Sequence, residues 1–162
     1  MSASNRALAG RIRRELEDID LLVVRTTGLL ELALRYKHFE ILDGAALNLH
    51  GFYAAIERIF EDIVQEMDKT SFDGKDWHRK LLMQMTAEIP GIRPPVIGKP
   101  VYVCLDEYLR FRHVVRNIYT YNLNPKRVQE LVEDLPGCAE AVKAQLIKFS
   151  DFLVDTSWVE EV

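Results

Sequence analysis

From Ala3 to about Lys37 the chain runs without proline, and Leu8, Ile12, Leu16, Ile19, Val23 and Leu30 return at helical spacing. The pattern predicts one long amphipathic helix, whose apolar stripe must be covered by other elements. Gly28 falls inside it and costs about 1 kcal/mol against alanine, which marks close packing or a bend. A second helix is expected from about Phe39 to Met67, where Leu49, Phe52, Ile56, Phe60, Ile63 and Met67 advance by threes and fours. It returns antiparallel to the first.

Ser71, Asp73 and Gly74 then favour a turn, and Asp73 or Asp76 can cap a short third helix, about Trp77 to Ala87. Pro90, Gly91, Pro94, Pro95, Gly98 and Pro100 make Ile89 to Pro100 an ordered surface loop. A fourth helix is expected from about Val101 to Tyr121, with Val101, Leu105, Tyr108, Val115 and Ile118 near one side. Asn124 followed by Pro125 is a strong start signal for the next helix. Leu135, Pro136 and Gly137 are expected to break it, leaving a last helix with Val142, Leu146, Phe149 and Leu153 on one face. No period-two strand competes. The expected architecture is all-α: an antiparallel bundle of four main helices with short additional ones, spanning 1–162 as one domain.

A formal net charge of −4 excludes binding to a nucleic-acid duplex by the whole surface, so any such contact has to be a local patch. Cys104 and Cys138 lack zinc or redox spacing and read as small buried apolar side chains. No apolar run follows the basic start, and no stretch approaches the ~20 apolar residues that span a bilayer. A cytoplasmic protein without membrane association is expected. There is no Gly-rich phosphate loop, no Gly-x-Ser-x-Gly elbow and no His-Glu-x-x-His. The residues three before the four histidines are Arg35, Leu47, Lys75 and Arg110, which removes the Glu-x-x-His of di-iron bundles. No metal or cofactor is expected.

The densest mixture of cations and hydrogen-bonding rings is the stretch from Arg110 to Tyr121. At 100° per residue Arg112, Arg116 and Tyr119 fall along one stripe. Two readings fit. Guanidiniums beside a phenol suit a phosphate and a base, and a run of helical cations also suits a solvated face paired with acidic neighbours. On the second helix His50, Glu57 and Arg58 read either as a polar contact to the fourth helix or as a hydrogen-bonded packing layer. Trp77 and Trp158 read as core or interface anchors.

Arg112, four residues, Asn117, one residue and Tyr119 resemble the Arg-x4-His-x-Tyr motif of HEPN domains, in their HepT-like branch, with Asn at the His position. The stretches Phe52 to Phe60 and Trp77 to Leu82 are similar to HepT-like proteins as well, and the order of helices matches over most of the chain. The resemblance implies a toxin of a toxin-antitoxin system, acting as a homodimer that cleaves RNA without a metal. It also implies a partner nucleotidyltransferase antitoxin that adds AMP to the tyrosine, here Tyr119, which otherwise reads as an interface aromatic. Phe111, Val115, Ile118 and Tyr119 exceed what one bundle face needs and point to a two-fold contact through the fourth helix.

In such chemistry a histidine moves the proton of the RNA 2′-hydroxyl while arginine steadies the phosphoryl charge. The amide of Asn117 cannot titrate, so weak or absent cleavage is expected. His113, one turn earlier on the same side, is the nearby substitute base; it also fits as a packed or solvated residue. The competing reading is a noncatalytic dimeric binding or scaffold protein of the same fold.

Overall fold

The computed structural model describes residues 3–117, 119 and 122–155. Its helices are α1 (Ala3–Tyr36), α2 (Ile41–Ile63), α3 (Trp77–Gln84), α4 (Lys99–Asn117) and α5 (Pro125–Val154), with a π-helical turn over Val64–Asp68 continuing α2. Among the described residues the only β pairing is an isolated bridge between Ile89 and Arg93. The expected all-α antiparallel bundle is therefore present. Ile118, Tyr121 and Trp158, invoked above, lie outside the described residues.

Polar contacts fix the helix directions. Arg13 meets Ser150 and Asp151 while Asp20 meets Lys143, so α1 and α5 run antiparallel. Arg11 pairs with Asp62 and Arg58 with Glu15, which sets α2 antiparallel to α1. Cys104 of α4 lies against Cys138 of α5, and four residues on, the Tyr108 hydroxyl donates to the Leu131 carbonyl at 2.8 Å, so α4 opposes α5. α2 is the innermost helix, burying Leu49, Phe52, Tyr53, Ile56, Phe60 and Ile63 without measurable exposure. α1 ends in a left-handed Lys37, φ 56°, after which the His38 amide turns back to the Ala33 carbonyl.

Several local expectations change. Gly28 does not mark close packing, since a Cβ there would meet nothing within 4 Å. Asp76 stands at the N-cap of α3, but its side chain makes no capping bond. α4 starts at Lys99 rather than Val101, because Pro100 sits in the first turn, where a missing amide proton costs little. Asn124 does cap α5, accepting from the Lys126 amide at 3.0 Å, with Pro125 in the first turn.

The expected break at Leu135–Gly137 does not occur, and α5 passes through Pro136. An interior proline costs about 3 kcal/mol. Here it sits between Val132 and Leu135 on one side and Cys138, Ala139 and Val142 on the other, all buried. Burying one such side chain fully contributes about 1.5–3 kcal/mol, so continuing the helix outweighs the break.

Cys104 and Cys138 form a disulfide, not separate apolar packers; antiparallel α4 and α5 bring their Cα atoms to 5.9 Å. A separation of 34 residues hides this pairing in the sequence, because helix packing alone makes the two neighbours.

The proline-rich segment before α4 is tied down from inside. Arg93 and Asp68 have almost no side-chain exposure and pair in bidentate fashion, Nε to Oδ1 and Nη2 to Oδ2, both at 2.7 Å. Arg93 also donates to the carbonyls of Ala87 and Pro94, and the amide of Gln84 donates to Asp68. The π turn carries Asp68 to this position. The Val96 amide then bonds the Met85 carbonyl, and Val96 and Ile97 enter the core.

Removing one partner of a buried ion pair leaves the other charge uncompensated. Arg93→Met is expected to lower unfolding free energy by about 3–5 kcal/mol in urea titration, whereas a loss under about 1 kcal/mol would show that the clamp is dispensable.

Candidate functional site

The C-terminal half of α4, the start of α3 and the residues just before α3 line an open cleft of about 540 Å³. Buried Leu105, Tyr108, Leu109 and Phe111 fix α4 in the core, and Phe52 of α2 meets Tyr108 edge to face with centroids 5.3 Å apart. With that face inward, Arg110, Arg112, His113, Arg116 and Asn117 of α4 line the cleft opposite Lys75, His78 and Arg79.

The cations are not equivalent. Asp106, a buried carboxylate on α4, accepts from Arg79 Nη1 at 3.0 Å and pairs with Arg110 Nε at 2.9 Å. Those two guanidiniums share one carboxylate within the protein. Among the described residues neither Arg112 nor Arg116 pairs with a carboxylate, and they stand one helical turn apart on the same cleft wall.

Arg112 is held from behind. Its Nη1 lies 3.4 Å from Nε2 of His78, whose Nδ1 is 2.7 Å from Oε2 of the buried Glu57. Trp77 stacks on the His78 ring, centroids 3.6 Å apart and planes tilted by 30°. Trp77 therefore packs against the core and also backs the cleft. Arg112 Nε and the Tyr53 hydroxyl are both buried without a hydrogen-bond partner in the structure. Burial first, then the charge of Glu57, pushes the Tyr53 phenol far above its ordinary range, so it keeps its proton.

Arg112, Arg116, His113 and Asn117 thus come together. Asn117 Nδ2 donates to the His113 carbonyl at 2.6 Å and lies 3.4 Å from His113 Nδ1. The amide caps the end of its own helix, and His113 is exposed beside it. Tyr119 does not share the arginine stripe: α4 ends at Asn117, and Tyr119 lies in irregular backbone, 72% exposed, its carbonyl accepting from the Asn122 amide. Phe111 is buried and Val115 packs on the core, so these two are not surplus apolar surface.

Of the polar trio on α2, Arg58 turns away to Glu15, while Glu57 reaches α4 through His78. His50 feels α4 directly. Burial, then the charges of Arg112 and Arg116, lower its pKa below the ordinary 6.5. Sequence reasoning missed His78; the available signal was a histidine beside a tryptophan at a helix start, which is weak without the partner Glu57. Among the described residues no group of three or more His, Cys, Asp or Glu side chains converges as a metal site would require.

A family model described as a HepT-like protein matches residues 44–153. The match runs from the first turn of α2 to the end of α5, so it takes in the whole cleft and leaves out α1. No curated protein matches the chain, and no solved structure does.

The lowered pKa of His50 means that the unfolded chain binds a proton the folded one resists. Its contribution to stability is full above pH 6.5 and is lost as pH falls through that value toward the lowered folded one. Replacing Arg112 and Arg116 by alanine is expected to move the His50 pKa part of the way back up, as read by NMR titration of the imidazole. Only part returns, because burial is the larger cause. An unchanged titration would mean that the guanidiniums do not face His50.

Proposed function

This chain belongs to the HepT-like family, and from that premise we propose that it is a toxin component of a toxin-antitoxin system that binds RNA in the cleft between α3 and α4. The observation that carries the reading is the sorting of charge. Arg79 and Arg110 are both engaged by Asp106, and Arg112 and Arg116 stand one turn apart without a carboxylate partner among the described residues, available for phosphate. Guanidiniums bind phosphate oxygens in bidentate fashion, and two at this spacing suit successive or shared phosphates of a single strand. With a net charge of −4 the surface as a whole does not favour RNA, so binding falls to the local cluster of cations around this pair.

A homodimer belongs to the same proposal, with the exposed Val103 and Val114 of α4 and Tyr119 beyond it as the apolar side chains left outside. Tyr119 is the proposed AMP acceptor. Its phenol gives up its proton to the partner nucleotidyltransferase or solvent as the oxygen bonds the α-phosphorus of ATP, and pyrophosphate leaves. Two residues of extended chain span at most about 7 Å, so an AMP there starts close to Asn117 and adds negative charge beside Arg116. Cytoplasmic location completes the reading. No helix of the described residues is long and apolar enough to cross a membrane.

One observation favours a second reading, a noncatalytic binding or scaffold protein of the same fold. Asn117 occupies the proton-carrying position of the motif and spends its amide on the His113 carbonyl.

For a short single-stranded RNA, native protein is expected to bind more weakly as salt rises. Arg112→Ala and Arg116→Ala should each reduce the slope of log affinity against log salt by about 0.7. Equal affinity and equal slope in native and doubly substituted protein would reject the RNA site. Light scattering at tens of micromolar should return twice the chain mass, and a monomer would remove the dimer from the proposal. With a nucleotidyltransferase and ATP, native protein should gain one AMP by mass spectrometry and Tyr119→Phe none. Modification that persists in Tyr119→Phe would place the acceptor elsewhere.

A further inference from the structure

A general base needs a lone pair, a fixed direction and a nearby charge that steadies the protonated form. Asn117 has no basic nitrogen, and His113 stands exposed beside it with no carboxylate partner among the described residues. The Tyr53 phenol is buried with its proton held. His78 meets all three requirements. The Glu57 carboxylate can only accept, so at 2.7 Å the proton of the neutral ring sits on Nδ1 and the lone pair is on Nε2. Trp77 lies against the ring face and restricts its rotation. Nε2 points to Arg112 Nη1 at 3.4 Å, near the long limit of an N–H···N bond, so the guanidinium lies beside the lone pair without engaging it tightly.

We propose that His78, oriented by Glu57, is the proton acceptor for cleavage of RNA whose phosphate Arg112 holds. The proposal rests on the RNA-binding reading above. The 2′-hydroxyl gives its proton to His78 Nε2 while its oxygen bonds phosphorus, and the P–O5′ bond breaks. The 5′-oxygen leaves with the electron pair and takes a proton from water, and the hydroxide so formed takes the proton from the imidazolium. The products are a 2′,3′-cyclic phosphate and a 5′-hydroxyl end. Arg112 offsets the charge that builds on the phosphoryl oxygens, and Glu57 is a positioning residue that fixes the tautomer. The lost histidine of the α4 motif is replaced from α3, by a side chain that reaches the same guanidinium from the other wall.

The test uses an oligonucleotide with ribose at one position and deoxyribose elsewhere, beside an all-deoxy control. The native full-length protein should cut at the ribose alone and leave the cyclic phosphate. His78→Gln, whose amide can still donate to Glu57, should keep RNA affinity and melting temperature and lose about 100- to 10,000-fold in single-turnover rate. On the native chain, ¹⁵N NMR of the His78 ring should show Nδ1 protonated and Nε2 bare, a readout independent of whether the variant folds. Cleavage by His78→Gln at the native rate, a ring protonated on Nε2, or native protein that binds the RNA and leaves it intact would each overturn the role of His78 while the RNA site stands. Native protein that binds no RNA would overturn the RNA reading, and this role with it.

Discussion

A carboxylate only 8% exposed is tolerated when its charge is matched, and Asp106 is matched twice, by Arg79 of α3 and Arg110 of its own helix. The contact to Arg79 joins the His78–Glu57 and Gln84–Asp68 contacts in docking a short helix that buries only Leu81 and Leu82. Docked there, α3 becomes one wall of the cleft and brings Trp77 and His78 over α2. The contact to Arg110 ties an exposed α4 cation to the same carboxylate. One buried carboxylate thus shapes the cleft and leaves Arg112 and Arg116 as the α4 guanidiniums without a carboxylate partner among the described residues.

The same economy extends inward. Glu57 is buried on α2, and its match is His78, which in turn meets Arg112. A line of polar contacts therefore runs from the innermost helix to the phosphate-binding position through three elements. Arg112 gains a fixed place without losing its charge to a carboxylate, which suits a group that meets an anion from solution. The neighbouring Arg116, without that backing, is exposed.

Periodic apolar spacing made α1 and α2 legible to within a few residues, and Asn124 with Pro125 marked the start of α5, because these signals are local. Pro136 misled for the opposite reason: its cost is local, and the burial that outweighs it comes from Val132, Leu135, Cys138 and Val142 meeting other helices. Cys104 and Cys138 become neighbours only once α4 and α5 are antiparallel. In the site, Arg112 and Arg116 were visible as a stripe on one helix. His78 and Glu57 are 21 residues apart on different helices and individually unremarkable. Tyr119 was assigned to the stripe by extending helical periodicity past Asn117, the last residue of α4.

The central claim is that RNA lies between α3 and α4 against Arg112 and Arg116, and photocrosslinking tests it without relying on substitutions. A single-stranded RNA carrying 4-thiouridine, irradiated with native protein and digested, should leave nucleotide adducts on peptides containing Trp77 to Arg79 and Arg110 to Asn117. Adducts confined to the outward face of α1, around Leu21 and Val24, with none on those two segments, would contradict it.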